Sequence, residues 1–266
     1  MMKIAYRILA TFMFFTRLPL WKIANVPAEH FKKVVPLWPM VGWMTGGVMA
    51  LTYALTSMFL PSIIAIILAL VARVLLTGAL HEDGFADFCD GFGGGTTRER
   101  TLEIMKDSHI GTYGVLGLIL YYLLLLATLH SIAPLFAPGV RTLSMGCVFF
   151  CGDTFCKWAS STIIYSLPYA RKEEEAKSKL IYASVSWKEK IASFILGILP
   201  MAMMFVHEMV VAPLVILAPL FTCLILFRTM RKRIQGYTGD CCGATFIISE
   251  LVFYLTTLIS LNFISI

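Results

Sequence analysis

Charge is scarce in this chain. Only 14% of its 266 residues are Asp, Glu, Lys or Arg, against roughly 25% in soluble domains, which excludes an ordinary water-soluble enzyme. Paired cysteine motifs are missing as well. The seven cysteines are an odd number, Cys151 and Cys156 lack CxxC spacing, and the adjacent Cys241 and Cys242 have no second half, which argues against a disulfide framework and a zinc or iron–sulfur centre. No internal repeat or low-complexity linker divides the chain. The N-terminal apolar stretch runs into Pro19 and charge rather than a small-residue cleavage site, so no cleavable signal peptide is expected.

Apolar residues are abundant instead: 58% of the chain is hydrophobic and mean hydropathy is +0.80. Crossing a bilayer takes about 20 mostly apolar residues. Such runs lie near 34–58, 61–80, 113–136, 142–166, 191–207, 210–227 and 244–264. The expected fold is all-α, a polytopic integral membrane helix bundle of about seven transmembrane helices in one membrane domain, residues 1–266. Ile4 to Trp21 is apolar too, but Arg7, Arg17 and Pro19 interrupt it, and it reads as an interfacial or re-entrant helix.

Lys and Arg accumulate in cytoplasmic loops. If 34–58 and 61–80 form a hairpin, the polar segments 1–33, 81–112, 167–190 and 228–243 share one side and hold nineteen of the twenty-two Lys and Arg residues. The others are Arg73, Arg141 and Lys157, and the opposite turns near Leu60 and Val210 hold none. That side is expected to be cytoplasmic. The net charge of +6 then reflects topology and anionic lipid in the bilayer rather than a nucleic-acid partner.

Between two apolar runs stands His81-Glu82-Asp83-Gly84-Phe85-Ala86-Asp87-Phe88-Cys89-Asp90-Gly91, followed by Gly93-Gly94-Gly95. On a helix, Asp83, Asp87 and Asp90 fall at i, i+4 and i+7 and project from one face, where unpaired carboxylates repel. A divalent cation removes that repulsion, and hard oxygen donors suit Mg²⁺, which completes its shell with water and phosphate oxygens. Phosphoryl transfer is the chemistry this suggests. His81 is read either as a general base or as a partner that orients one carboxylate. Glu82 is either a further metal ligand or a solvated neighbour, since its side chain points about 100° away from that of Asp83. The glycine run is expected to let a phosphate approach the backbone ahead of a surface helix over Thr96–Ser108.

Other ionisable positions carry open alternatives. Arg171 begins a charged loop and is either part of a solvated face or a phosphate clamp. Asp240, beside Thr238 in a glycine-rich turn, is a further ligand, a substrate contact or a helix cap. Asp153 and Lys157 are four residues apart inside an apolar run and are expected to form an internal ion pair; Glu250 is likewise intramembrane.

These blocks resemble the cobalamin synthase family, the adenosylcobinamide-GDP ribazoletransferases. The resemblance rests on His81 to Gly91, on Arg98-Glu99-Arg100 with Leu102 to Ser108, on Ile110 to Gly114, on Leu167 to Arg171, and on Thr238-Gly239-Asp240 with Gly243-Ala244. Lys157 departs from the family's arginine, and Phe88-Cys89 is an unusual pair within the acidic motif. The resemblance implies transfer of the cobinamide-phosphoryl group of adenosylcobinamide-GDP to α-ribazole or α-ribazole 5′-phosphate, with release of GMP and a requirement for Mg²⁺. It implies that Asp83, Asp87 and Asp90 hold the metal and that His81 or a free carboxylate takes the acceptor proton. Arg98, Lys106, Asp107, Arg171, Thr238 and Asp240 are the implied substrate contacts. It also implies a multi-pass protein of a bacterial or archaeal cell (inner) membrane with a cytoplasmic catalytic loop about 81–112. The sequence leaves homo-oligomer formation open. A CDP-alcohol phosphotransferase is the nearest rival, but its pattern D-G-x2-A-R-x8-G-x3-D-x3-D is not met, because Asp87 follows Ala86. A cation transporter would bury its acids at the bilayer midplane rather than at a polar edge.

Overall fold

Long runs of Leu, Ile, Val and Ala almost free of Gly and Pro fold as helices, the form that satisfies every backbone N–H and C=O where water is absent. The computed structural model describes residues 2–136, 144–171, 182–207 and 212–264. Among them the helices are α1 (Met2–Phe15), α2 (Trp38–Thr56), α3 (Ser62–Thr77), α4 (Leu80–Gly94), α5 (Arg98–Lys106), α6 (Thr112–Ile132), α7 (Met145–Ser166), α8 (Trp187–Ile198), α9 (Met201–His207), α10 (Ala212–Arg233) and α11 (Gly239–Ile264). No strand occurs among the described residues; the sole extended pairing there is a bridge between Tyr169 and Tyr237.

The all-α expectation holds, but the count of seven spans does not follow from it. Three described helical stretches are long and apolar enough to cross a membrane: Thr112–Phe136, Pro213–Arg233 and Gly239–Asn262. α3 and α4 pass together as a fourth, but they meet at 88°. The expected span 191–207 is broken into α8 of 12 residues and α9 of 7, each too short alone. α7 is long enough but carries Asp153 and Lys157 among Cys, Ser and Thr. The starts of the expected spans at 142 and 210 lie outside the described residues. α1 has 14 residues, short of a span, in keeping with an interfacial or re-entrant segment.

α7 forms the centre of the bundle, burying Val148, Phe149, Cys151, Phe155, Cys156, Ala159 and Ile163, and α11 lies against it, with two thirds of its apolar window buried. α6 and α10 are outer helices that expose Leu116, Leu120, Leu123, Leu217, Phe221 and Ile225, side chains suited to lipid rather than water.

The bend between α3 and α4 comes from two consecutive left-handed residues, Gly78 (φ 66) and Ala79 (φ 58). Glycine adopts this conformation freely, whereas alanine pays roughly 1–2 kcal/mol. The bend redirects the chain so that the acidic motif leaves the line of α3 and packs against α6 and α11. Within the segment 81–112, α4 carries the acidic motif and α5 is the surface helix, and a short turn joins them.

Five buried charges tie the helices together. Arg73 of α3 pairs with Glu250 of α11, lies 3.5 Å from Glu82 of α4 and 3.6 Å from Asp153 of α7. Lys157 donates to both oxygens of Asp153 at 2.7 Å, which bears out the internal pair expected from their spacing. Tyr121 of α6 donates to Glu250 at 2.8 Å, and Thr45 of α2 donates to Asp153. In a low-dielectric interior each charge needs such partners, because leaving one unpaired costs several kcal/mol.

Candidate active site

α4 and the first turn of α11 touch at Gly84, where an added Cβ would lie 2.9 Å from Asp240 Cα. This close approach brings the acidic motif and the Thr238–Asp240 turn to one cavity of about 340 Å³. Its polar wall comprises His81 and Asp83 from α4, Thr238 and Asp240 from the start of α11, and Arg171. Its apolar wall is aromatic, formed by Phe14, Phe15, Trp38, Tyr169 and Tyr182.

Backbone pairing positions the third element of the site. Ala170 N–H donates to Tyr237 O at 2.8 Å and Tyr237 N–H donates to Pro168 O at 2.9 Å, which fixes Pro168–Arg171 against the turn before α11. Burial pushes the Tyr169 phenol up to about 12. Arg171 Nη2 donates to Leu102 O of α5 at 2.8 Å, while its buried Nε has no partner. Arg171 also lines a second cavity of about 360 Å³, together with Arg98, Glu99, Leu102, Glu103, Lys106 and Ala170.

His81 is 3% exposed and packs between Trp38, stacked at 5.9 Å, and Phe246 at 4.7 Å. Its Nε2 is buried without a hydrogen-bond partner. Asp83 is exposed on α4. Thr238 caps α11, its Oγ1 accepting from Cys241 N–H at 3.3 Å and donating to Asp240 Oδ2 at 3.3 Å. The capping role considered for Asp240 therefore belongs to Thr238. Asp240 sits half-buried in the first helical turn, where the helix dipole favours a carboxylate.

Several expected site residues are placed elsewhere. Both oxygens of Asp90 are engaged, Oδ2 by Gly111 N–H at 2.7 Å and Oδ1 by Gly114 N–H at 2.8 Å, so this carboxylate caps the N-terminus of α6 from a neighbouring helix rather than facing the cavity. Glu82 turns inward to Arg73 and to Tyr122, whose hydroxyl donates to it at 3.4 Å; its position on the far side of α4 explains why it does not join Asp83. Asp87 is half-buried one turn beyond Asp83 and outside both linings. Among the described residues no group of three or more His, Cys, Asp or Glu side chains converges on one point that could hold a metal ion, so the shared face of the three aspartates does not by itself make a three-carboxylate site.

The basic candidates divide similarly. Arg98 spends its guanidinium on Ile234 O at 3.0 Å and Ala170 O at 2.7 Å, bracing α5 against the end of α10. Lys106 is exposed in the second cavity. Asp107 lies outside both cavities, and hydrogen bonds from the backbone and ring of His109 hold its carboxyl below the usual range. The glycine run is not a phosphate cradle at a helix start: Gly93 and Gly94 end α4, and Arg233 donates to the carbonyls of Phe92 and Gly95. α5 is capped instead by Thr97, whose side chain accepts from Arg100 N–H at 3.2 Å.

The aromatic wall was not foreseen. Phe14 and Phe15 belong to an apolar stretch with no motif of their own, and only the Phe15–Trp38 and Trp38–His81 stacks reveal their place.

No solved structure matches this chain. The profile of the family described as cobalamin-5-phosphate synthase matches residues 7–258. The chain is similar to the adenosylcobinamide-GDP ribazoletransferase of Shewanella amazonensis, 38% identical over 248 residues that cover 92% of each chain. It is 38% identical over 246 residues to that of Shewanella piezotolerans, covering 92% of each, and 38% identical to that of Shewanella frigidimarina, covering 92% of this chain and 91% of the relative. With a profile match and relatives of this identity spanning nearly its whole length, the chain belongs to the cobalamin-5-phosphate synthase family.

Proposed function

We propose that this protein transfers the adenosylcobinamide-phosphoryl group of adenosylcobinamide-GDP to α-ribazole or α-ribazole 5′-phosphate and releases GMP. The observation that carries this reading, beside family membership, is one arginine shared by two cavities, one walled by aromatics and two carboxylates and the other by three cations with Glu99 and Glu103. A displacement at phosphorus needs the nucleophile on one side and the leaving phosphate on the other, with charge neutralised between them.

The donor set fits Mg²⁺. Asp83 and Asp240 reach one cavity from two helices, and Mg²⁺ is commonly held by one or two carboxylates plus phosphate oxygens and water. Asp87, one turn along α4 and outside the cavity lining, would be a further oxygen donor on the same helix. When bound, the ion neutralises the diphosphate and fixes it for in-line displacement. His81 Nε2, unpartnered at the cavity wall, accepts the proton of the acceptor hydroxyl as the new O–P bond forms. The P–O bond to GMP breaks, and Arg171 with Lys106 neutralises the departing phosphate. The aromatic wall excludes water, which would otherwise compete as the acceptor.

The site is assigned to the cytoplasmic face of a bacterial or archaeal cell membrane, supported by the nineteen Lys and Arg residues that the sequence places on the polar segments 1–33, 81–112, 167–190 and 228–243. Purified protein given adenosylcobinamide-GDP and α-ribazole should release GMP in step with cobalamin formation, stop on chelation by EDTA and resume on addition of Mg²⁺. Absence of GMP release with both substrates and Mg²⁺ present would contradict the reading.

A further inference from the structure

Resting on that reading, we infer that the aromatic cavity is the acceptor subsite, holding the flat heteroaromatic base of the nucleoside, and that the corrinoid and guanosine parts of the donor lie outside it. The two cavities differ in chemistry more than in size. The first has rings on its apolar wall, with Phe14 and Tyr182 at 6.0 Å and 75°, and Phe15 stacked on Trp38 at 5.3 Å and 8°. Its polar wall carries two carboxylates against one cation, Arg171. The second has no ring among its lining residues and sets three cations, Arg98, Lys106 and Arg171, against two carboxylates, Glu99 and Glu103.

The excess of cations draws the GMP end of the donor to the second cavity, so that its diphosphate meets the Asp83 and Asp240 carboxylates at Arg171, where the two cavities join. An uncharged planar base gains by stacking on rings and loses little beside carboxylates. At about 340 Å³, the first cavity lies near the lower end of pockets that enclose drug-sized ligands, large enough for a nucleoside and too small for a corrin macrocycle with its amide side chains. Three of the buried polar atoms without partners among the described residues, His81 Nε2, Trp38 Nε1 and Arg171 Nε, come from residues that line this cavity, and a nucleoside's ribose hydroxyls and ring nitrogens can satisfy the first two. Arg171, common to both cavities, then marks where the diphosphate meets the acceptor hydroxyl.

The test separates the KM values of the two substrates in the full-length protein in lipid nanodiscs. Tyr182→Leu and Phe14→Leu should each raise KM for α-ribazole about tenfold, the loss of one stacking ring, and leave KM for adenosylcobinamide-GDP within about twofold. Tyr182→Phe, which keeps the ring, should restore the wild-type value. Lys106→Gln should show the opposite split. A rise in the donor's KM in the ring variants, alone or equal to that of the acceptor, or no change in either, would overturn the inference. Titration of α-ribazole alone into the wild type and Tyr182→Leu, followed by calorimetry, keeps the two claims apart. Ring-dependent binding without GMP release defeats the proposed function and leaves the subsite standing, whereas GMP release with ring-independent binding defeats only the subsite.

Discussion

Asp90 separates the geometry most sharply from the sequence motif. Its carboxylate accepts from Gly111 N–H at 2.7 Å and from Gly114 N–H at 2.8 Å, and it is 7% exposed. Asp90→Ala leaves two donors at the start of α6 without acceptors, at roughly 1–3 kcal/mol each. The total of about 2–6 kcal/mol should lower the melting temperature by roughly 4–12 °C, at about 2 °C per kcal/mol for a chain of this size. Asp90→Asn keeps one acceptor oxygen but sets an NH2 group against the second N–H, so about half that shift is expected. Melting of the purified protein in detergent, followed by tryptophan fluorescence, reads the shift. GMP release measured well below the melting range should stay within about tenfold of wild type. An Asp90→Asn protein that melts like the wild type but regains its lost activity only at high Mg²⁺ would refute the reasoning and return Asp90 to the metal.

Two further outcomes follow from the buried charges and from topology. Arg73→Met should destabilise the protein by about 3–5 kcal/mol, because Glu250 and Glu82 lose their cation in a dry interior; a melting curve unchanged from the wild type would contradict the network, and adding Glu250→Gln should recover part of the loss. A cysteine placed at exposed Glu103 of α5 should resist an impermeant maleimide in intact cells and react after permeabilisation, whereas labelling from outside would reverse the assigned orientation.

Short-range patterns were legible in the sequence. The i, i+4, i+7 aspartates do lie on a helix, Asp153 and Lys157 do pair, and the surface helix expected over 96–108 is α5. What failed depends on partners distant in the chain. Arg73 and Glu250 are separated by 177 residues, and no local spacing predicts that Arg73 draws Glu82 inward. The amides that take Asp90 belong to a helix start 21 residues on, so helical phase alone could not distinguish an anchor from a ligand. The count of seven spans is not confirmed, because hydropathy windows see composition and not the bend at Gly78 and Ala79 or the break between α8 and α9. The turn at Thr238 and Asp240 does lie beside the acidic motif, in keeping with the assignment of both polar segments to one membrane side, but the ring wall from α1 had no such signal.

The central claim is that phosphoryl transfer occurs in the cavity between α4 and the start of α11. The rate of GMP release by Asp83→Asn and by Asp240→Asn, each compared with wild type at saturating Mg²⁺ and with its melting curve, tests this most directly. The account predicts that each rate falls by at least about a hundredfold, the scale of losing one charged group from a transition-state site, while melting moves by no more than about 2 °C. Near-wild-type GMP release by both variants would place the chemistry elsewhere in the protein.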